Sequence, residues 1–161
     1  MTDHLWYFGY GSNMSRAIFL EMRQMQPLQA RPAFVDGHRL CFNIPVGPGE
    51  RGVANLEAHP PARTWGVVYQ LTVADFDRLD HTEGVGVGLY RRLPIEVVDS
   101  GGERIAALTY QSTRITEGRK PSPRYIGLLL DGAREHSLPE EYIAYLNSFE
   151  LAVDEREGGR G

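Results

Sequence analysis

Alternating hydrophobic and polar residues predict a sheet in the first two thirds of the chain. Apolar runs and period-two segments bounded by glycine, proline and aspartate are typical of β-strands. The predicted strands are residues 5–8, 39–46, 52–58, 64–71, 90–98 and 104–112. The turn Asp99-Ser100-Gly101-Gly102 separates the last two, so we expect them to pair as a hairpin.

A spacing of three or four between apolar residues predicts the helices. Ile18, Phe19, Met22 and Met25 would form one apolar face of a helix after the first strand. Thr72 is a suitable N-cap for a short helix ending near Asp80. Two C-terminal helices are predicted, one opened by the Pro-Ser-Pro run at 121–123 and one after residue 139.

These elements, without repeats or a linker, indicate one α+β domain over residues 1–153. Residues 154–161 are charged and rich in glycine, which predicts a flexible tail.

The segment Tyr7-Phe8-Gly9-Tyr10-Gly11-Ser12-Asn13-Met14 joins the first strand to the first predicted helix. Gly9 and Gly11 can adopt positive φ and allow a ligand to approach the backbone. The amides around Ser12 and Asn13 would lie at a helix N-terminus, which favours a carboxylate or a developing oxyanion. A tight turn without a ligand would explain the same residues.

Glu83 is the second candidate for chemistry. It lies between a short predicted helix and a loop with three alternating glycines, and apolar Val85, Val87, Leu89 and Tyr90 follow it. A carboxylate drawn into an apolar cleft loses hydration, which raises its pKa toward the range of a general base. The alternative is a solvated surface acid.

Composition excludes several classes of protein. The chain has 161 residues and a net charge of −4 with scattered basic residues, which argues against a nucleic-acid site. No apolar run approaches the roughly 18 residues of a membrane span, so we expect a cytoplasmic protein that binds no membrane. Cys41 is the single cysteine, which excludes an internal disulfide and predicts a packed thiol. The five histidines lack ligand spacing, so no metal site is expected.

Four segments together resemble one enzyme family. They are residues 7–14, the strand 65–69, the stretch 79–90 and the Pro-Ser-Pro-Arg-Tyr run at 121–125. The chain resembles the gamma-glutamylcyclotransferase-like family, which includes the AIG2-like proteins and the antibiotic-maturing enzyme BtrG. This resemblance implies a small mixed β-barrel flanked by helices, with a cavity at one end.

The resemblance also implies a reaction and its residues. The substrate's α-amine would attack its own γ-carbonyl, releasing 5-oxoproline and an amine or amino acid without a metal or cofactor. Glu83 would be the catalytic acid and base, and the loop residues Tyr10, Gly11, Ser12 and Asn13 would hold the gamma-glutamyl group. The loop amides could bind the α-carboxylate or the oxyanion. Tyr125 could bind substrate or could be a core tyrosine.

Other outcomes stay open at the level of sequence. The substrate could be a specialised gamma-glutamylamine or an antibiotic intermediate, and a non-catalytic member of the fold could bind a small amino-acid-like ligand. Retention of Glu83 argues against the non-catalytic alternative. The expected partner is a small gamma-glutamyl compound, and a homodimer is allowed.

Overall fold

The centre of the fold is a closed barrel of five strands in the order β1-β3-β2-β4-β5. The computed structural model describes residues 3–153, so the predicted tail lies outside the described residues. The strands are β1 (His4–Gly9), β2 (Gln29–Pro45), β3 (Gly52–Thr72), β4 (Arg91–Asp99) and β5 (Arg104–Gln111). Neighbouring strands pair antiparallel, except β1 and β5, which pair parallel and close the barrel. The predicted small mixed barrel and the β4–β5 hairpin are confirmed.

Two strands are much longer than the sequence pattern predicted. β2 begins ten residues before the predicted start at Arg39, and Asp36-Gly37 is a β-bulge within it rather than a turn before it, with Gly37 at φ 80°. The two predicted strands at 52–58 and 64–71 are one strand, β3. Its pairing with β2 jumps from Ala58 to Arg63. Pro60 and Pro61 lie in this unpaired stretch and have no amide N–H to donate to a neighbouring strand. The sequence pattern therefore predicted a loop here, although the strand continues.

Three α-helices flank the barrel: α1 (Val73–Glu83), α2 (Pro123–Glu135) and α3 (Glu140–Asn147). Thr72 caps α1 as predicted, since its side chain accepts a hydrogen bond from the Asp75 amide at 3.1 Å. The helix continues past the expected end at Asp80 and stops at Gly84, which is left-handed. Glu83 is therefore the last helical residue. Among the described helices, none is long and apolar enough to cross a membrane.

The segment after β1 is not the regular amphipathic helix that the spacing predicted. A short 3₁₀ turn, Ser12–Met14, is followed by a π-helix, Ala17–Met22. Ile18, Phe19 and Met25 are buried as expected, but Met22 is 64% exposed. The i→i+5 bonding of a π-helix changes the residue spacing on each face, which turns Met22 toward solvent.

The barrel core holds the N-terminal loop in place. Phe19 stacks on Tyr69 with ring centroids 4.2 Å apart. The Tyr69 hydroxyl donates to the backbone oxygen of Asn13 at 2.8 Å, and Thr109 Oγ1 donates to that of Phe8 at 2.6 Å. These buried bonds connect the loop to β3 and β5.

Replacing Gly132 with alanine is expected to destabilise the fold, because α2 packs on the loop at this position. A Cβ at Gly132 would lie 2.5 Å from Met14 Cβ and 2.6 Å from the Met14 carbonyl carbon, so backbone must shift. Overpacking of this kind costs about 1–3 kcal/mol. A Cβ at Gly127 on the same helix meets nothing within 4 Å. Gly127→Ala is therefore the control and should stabilise by about 0.5–1 kcal/mol. Urea unfolding of both variants measures the difference, and equal stabilities would contradict this packing.

Candidate active site

A pocket opens at one end of the barrel, where the C-terminal ends of β1 and β5 meet the N-terminal end of β4. Its empty volume, which includes part of the mouth, is about 330 Å³. We call it the central pocket, and its lining residues are Tyr7, Tyr10, Gly11, Ser12, Asn13, Ala54, Glu83, Tyr90, Tyr110 and Tyr125. All six residues predicted from the sequence as catalytic or substrate-binding line this one pocket.

Glu83 supplies the carboxylate of the central pocket. Its side chain is only 14% exposed, and loss of hydration raises its pKa above the usual glutamate value. The Arg23 charge and a hydrogen bond from Asn13 act in the opposite direction. The sequence suggested that Val87 and Leu89 bury this carboxylate. They do not, because they are 70% and 46% exposed. The tyrosines of the barrel end surround the carboxylate instead.

Asn13 connects Glu83 to Arg23. Its Nδ2 donates to the Tyr7 hydroxyl at 2.9 Å and lies 3.4 Å from Glu83 Oε2, while its Oδ1 accepts from Arg23 Nε at 2.6 Å. Arg23 Nη2 also lies 3.9 Å from Glu83 Oε2. Both ends of the Asn13 amide therefore bond protein groups. The Asn13 side chain therefore orients Glu83. That the backbone amide of Asn13 helps to hold the gamma-glutamyl group stays a prediction.

The loop glycines do not have the conformation expected from the sequence. Neither Gly9 nor Gly11 has a positive φ, and Gly11 lies at φ −115°. Gly11 is required for space instead, since a Cβ there would lie 3.1 Å from both Ala54 Cβ and the Tyr125 hydroxyl. The following 3₁₀ turn is three residues long, so the expected long helix N-terminus is absent from this part of the described chain.

Tyr125 reaches the central pocket from the first turn of α2. Ser122 caps that helix by accepting from the Tyr125 amide at 3.0 Å, and the Tyr125 hydroxyl accepts from the Ala54 amide at 3.1 Å. Burial raises the pKa of Tyr125 to about 12, although hydrogen bonds from Ala54 and Ser12 act against that rise. The hydroxyl is therefore neutral at physiological pH and keeps its proton for donation.

The hydroxyls of the other tyrosines in the pocket are also neutral at physiological pH. Desolvation raises the pKa of Tyr7, Tyr10, Tyr90 and Tyr110. The Tyr10 hydroxyl donates to the Tyr110 backbone oxygen at 2.6 Å, and the Tyr110 hydroxyl donates to Asp80 Oδ1 at 2.6 Å. Tyr10 therefore contributes its ring and backbone to the pocket. Its hydroxyl is used in the hydrogen bond to the backbone of β5.

Sequence reasoning missed Arg23 and four lining residues. Tyr7 and Tyr90 lie in the segments that carried the resemblance, so their positions could have been proposed. Arg23, Ala54 and Tyr110 have no local signal, because they reach the site through the π-helix and two different strands.

Residues 3–153 contain neither a cluster of metal ligands nor an activated thiol. The described histidines, cysteine and carboxylates form no group of three or more that could hold a metal ion. Cys41 is partly buried rather than fully packed, and burial raises the pKa of its thiol to about 11. A thiol with that pKa is protonated and a weak nucleophile at neutral pH.

Comparison with known proteins points to one group of enzymes. The AIG2-like family model matches residues 63–146, which include Glu83 and Tyr125. The chain is 32% identical over 148 residues to gamma-glutamylcyclotransferase of Bos taurus, covering 89% of this chain and 78% of that protein. It is 34% identical over 164 residues to gamma-glutamyl cyclotransferase aclK of Aspergillus oryzae, covering 88% of this chain and 60% of that one.

Solved structures agree with the sequence relatives. One gamma-glutamyl cyclotransferase superposes with a TM-score of 0.80 at 28% identity, covering 92% of this chain and 89% of that one. A yeast cyclotransferase described as specific to glutathione superposes with a TM-score of 0.67 at 14% identity, covering 90% of this chain and 94% of that one. The second likeness shows a shared fold.

Proposed function

We propose that Glu83 is the general base and acid of this protein. The chain belongs to the AIG2-like family of gamma-glutamylcyclotransferases and is an enzyme that cyclises gamma-glutamyl substrates. The observation that supports this role is the position of its buried carboxylate in the central pocket, beside the loop of Gly11 and Ser12. Cytoplasmic location and a homodimer stay predictions from the sequence.

The proposed reaction begins with a proton transfer to Glu83. The substrate α-amine enters as an ammonium with a pKa of about 8, and an ordinary glutamate with a pKa of about 4.3 would accept its proton uphill by about 5 kcal/mol. The raised pKa of Glu83 narrows this gap. The neutral amine then attacks the γ-carbonyl and forms a five-membered ring.

Collapse of the tetrahedral intermediate completes the reaction. The bond from the γ-carbon to the departing nitrogen breaks as the protonated Glu83 carboxyl gives that nitrogen a proton. The regenerated carboxylate then takes the second proton from the ring nitrogen and passes it to the released amine. The products are 5-oxoproline and the free amine. One carboxyl group serves as base and then as acid, so no water is consumed.

The remaining acceleration should come from orientation. The pocket must hold the glutamyl chain folded, with amine and carbonyl carbon roughly 3–3.5 Å apart. The neutral hydroxyls of Tyr7 and Tyr125 and the amides near Gly11 and Ser12 are the donors beside Glu83. Such donors can stabilise the oxyanion or fix the α-carboxylate.

A screen of gamma-glutamyl compounds for released 5-oxoproline by mass spectrometry tests the function. We expect release from at least one gamma-glutamyl amino acid or amine with the purified protein and no added cofactor. Failure with a panel covering amino acids, simple amines and glutathione would contradict the proposal.

Arg23→Met should shift the pH dependence of the reaction. Arg23 favours ionised Glu83 and so lowers its pKa, which means that removing the guanidinium raises the pKa further. The acid limb of the kcat/KM profile, which reports the free enzyme, should move to higher pH. Arg104→Met is the matched control, because Arg104 is 75% exposed and pairs with Glu96 on the neighbouring strand. An unshifted acid limb, or one shifted to lower pH, would show that Arg23 does not influence the base.

A further inference from the structure

A second pocket adjoins the central pocket and takes no part in the proton transfers. Its empty volume, which includes open solvent at the mouth, is about 350 Å³. Its lining residues are Val46, Arg51, Gly52, Val53, Ser122, Arg124 and Tyr125. Tyr125 lines both pockets, and Val53 precedes Ala54 of the central pocket along β3. A molecule bound at Glu83 therefore has a neighbouring space on the other side of Tyr125.

Two arginines make the second pocket cationic. Among residues 3–153, no ion pair involves Arg51 or Arg124. The Arg51 Nε is buried and has no hydrogen-bond partner in the described part of the chain. A buried donor without a partner costs free energy, so an acceptor that enters the pocket gains by satisfying it.

The backbone around Arg51 is held rigidly while its Nε lacks a partner. Arg119 Nη1 donates to the Arg51 backbone oxygen at 2.9 Å, and the Gly52 amide donates to the Lys120 backbone oxygen at 2.8 Å. A Cβ at Gly52 would lie only 2.7 Å from Arg119 Cβ, so the two segments touch here. Arg51 is thus presented from a fixed backbone, which reduces the entropy lost when a ligand binds.

We propose that the second pocket is the subsite for the departing amine, and that Arg51 and Arg124 select compounds whose departing amine carries a carboxylate. This inference rests on the proposed function. Guanidinium groups match the planar carboxylate and can bind both of its oxygens. The central pocket binds the glutamyl part common to every substrate, so discrimination between substrates falls to the second pocket.

A matched pair of substrates tests the subsite. Gamma-glutamyl-alanine and gamma-glutamyl-alaninamide differ in the leaving group by a carboxylate in place of a neutral amide. The wild-type protein should prefer the carboxylate compound by about tenfold or more in kcat/KM, which is the effect of a charged hydrogen bond. Arg51→Gln and Arg124→Gln should each lower this ratio by about tenfold. Arg104→Gln is the control, since its side chain is 75% exposed on β5, and it should keep the ratio.

Each outcome of the test has one meaning. Release of 5-oxoproline from neither compound, nor from the wider panel, would overturn the proposed function itself. Turnover of both compounds at similar kcat/KM by the wild type would overturn only the subsite. A wild-type preference that survives in both arginine variants would also overturn it. Melting curves establish which variants are folded, and the exposed Arg124 gives a test that does not depend on Arg51.

Discussion

Glu83→Gln should lower kcat by about 10²- to 10⁴-fold, the usual contribution of a general acid and base. Glutamine keeps the shape of the side chain but cannot accept the ammonium proton or return it to the departing amine. Substrate affinity should stay close to that of the wild type, because the change removes a transition-state interaction. Steady-state kinetics and calorimetric titration of substrate into the variant measure the two quantities. Asp77→Asn on the exposed face of α1 is the control and should keep its activity.

A stability measurement separates this loss of activity from unfolding. The folded-state pKa of Glu83 lies above its unfolded value, so its contribution to stability is present below the unfolded pKa and is lost as pH rises through the folded pKa. At neutral pH the buried charge therefore destabilises the fold. Glu83→Gln should melt at a higher temperature than the wild type at pH 7, and the gap should shrink on acidification. A variant that is active within a few-fold of the wild type would refute the assignment of Glu83, whatever its melting temperature.

Gly11→Ala should lower kcat/KM by about 10²-fold, because the added methyl group intrudes on the bound substrate, and displacing a substrate by about 1 Å can have an effect of that size. The added Cβ would lie 3.1 Å from Ala54 Cβ and from the Tyr125 hydroxyl, both of which line the central pocket. The melting temperature should fall by only a few degrees, since the neighbours need to move by tenths of an ångström. Gly86→Ala is the control, because a Cβ there meets nothing within 4 Å.

Ser12→Ala extends the loop experiment to the side chain. A mild effect on kcat/KM would indicate recognition by the backbone, whereas a severe effect would indicate recognition by the hydroxyl. If Gly11→Ala instead melts far below the wild type and its folded fraction has normal kinetics, the loop organises the fold but not the chemistry.

Local sequence patterns predicted those features that depend on neighbouring residues. The cap at Thr72 needs only a side-chain oxygen three residues before the amide that bonds to it. The β4–β5 hairpin follows from two alternating segments around a glycine turn. The loop residues 11–13 and Glu83 were candidates from their local surroundings, and the resemblance to a known family added Tyr10 and Tyr125. Together these gave six residues that meet in one pocket.

The tertiary structure decided everything that depends on distant partners. Barrel closure pairs β1 with β5 in parallel, and no local turn encodes that contact. The pattern could not show that β3 continues through His59-Pro60-Pro61, because the unpaired prolines mimic a loop. Arg23 illustrates the same limit at the site, since only the π-helix brings its guanidinium within 2.6 Å of Asn13 and 3.9 Å of Glu83. The sequence could identify the carboxylate, but its burial and its charged neighbour arise from contacts across the folded chain, and these set its pKa.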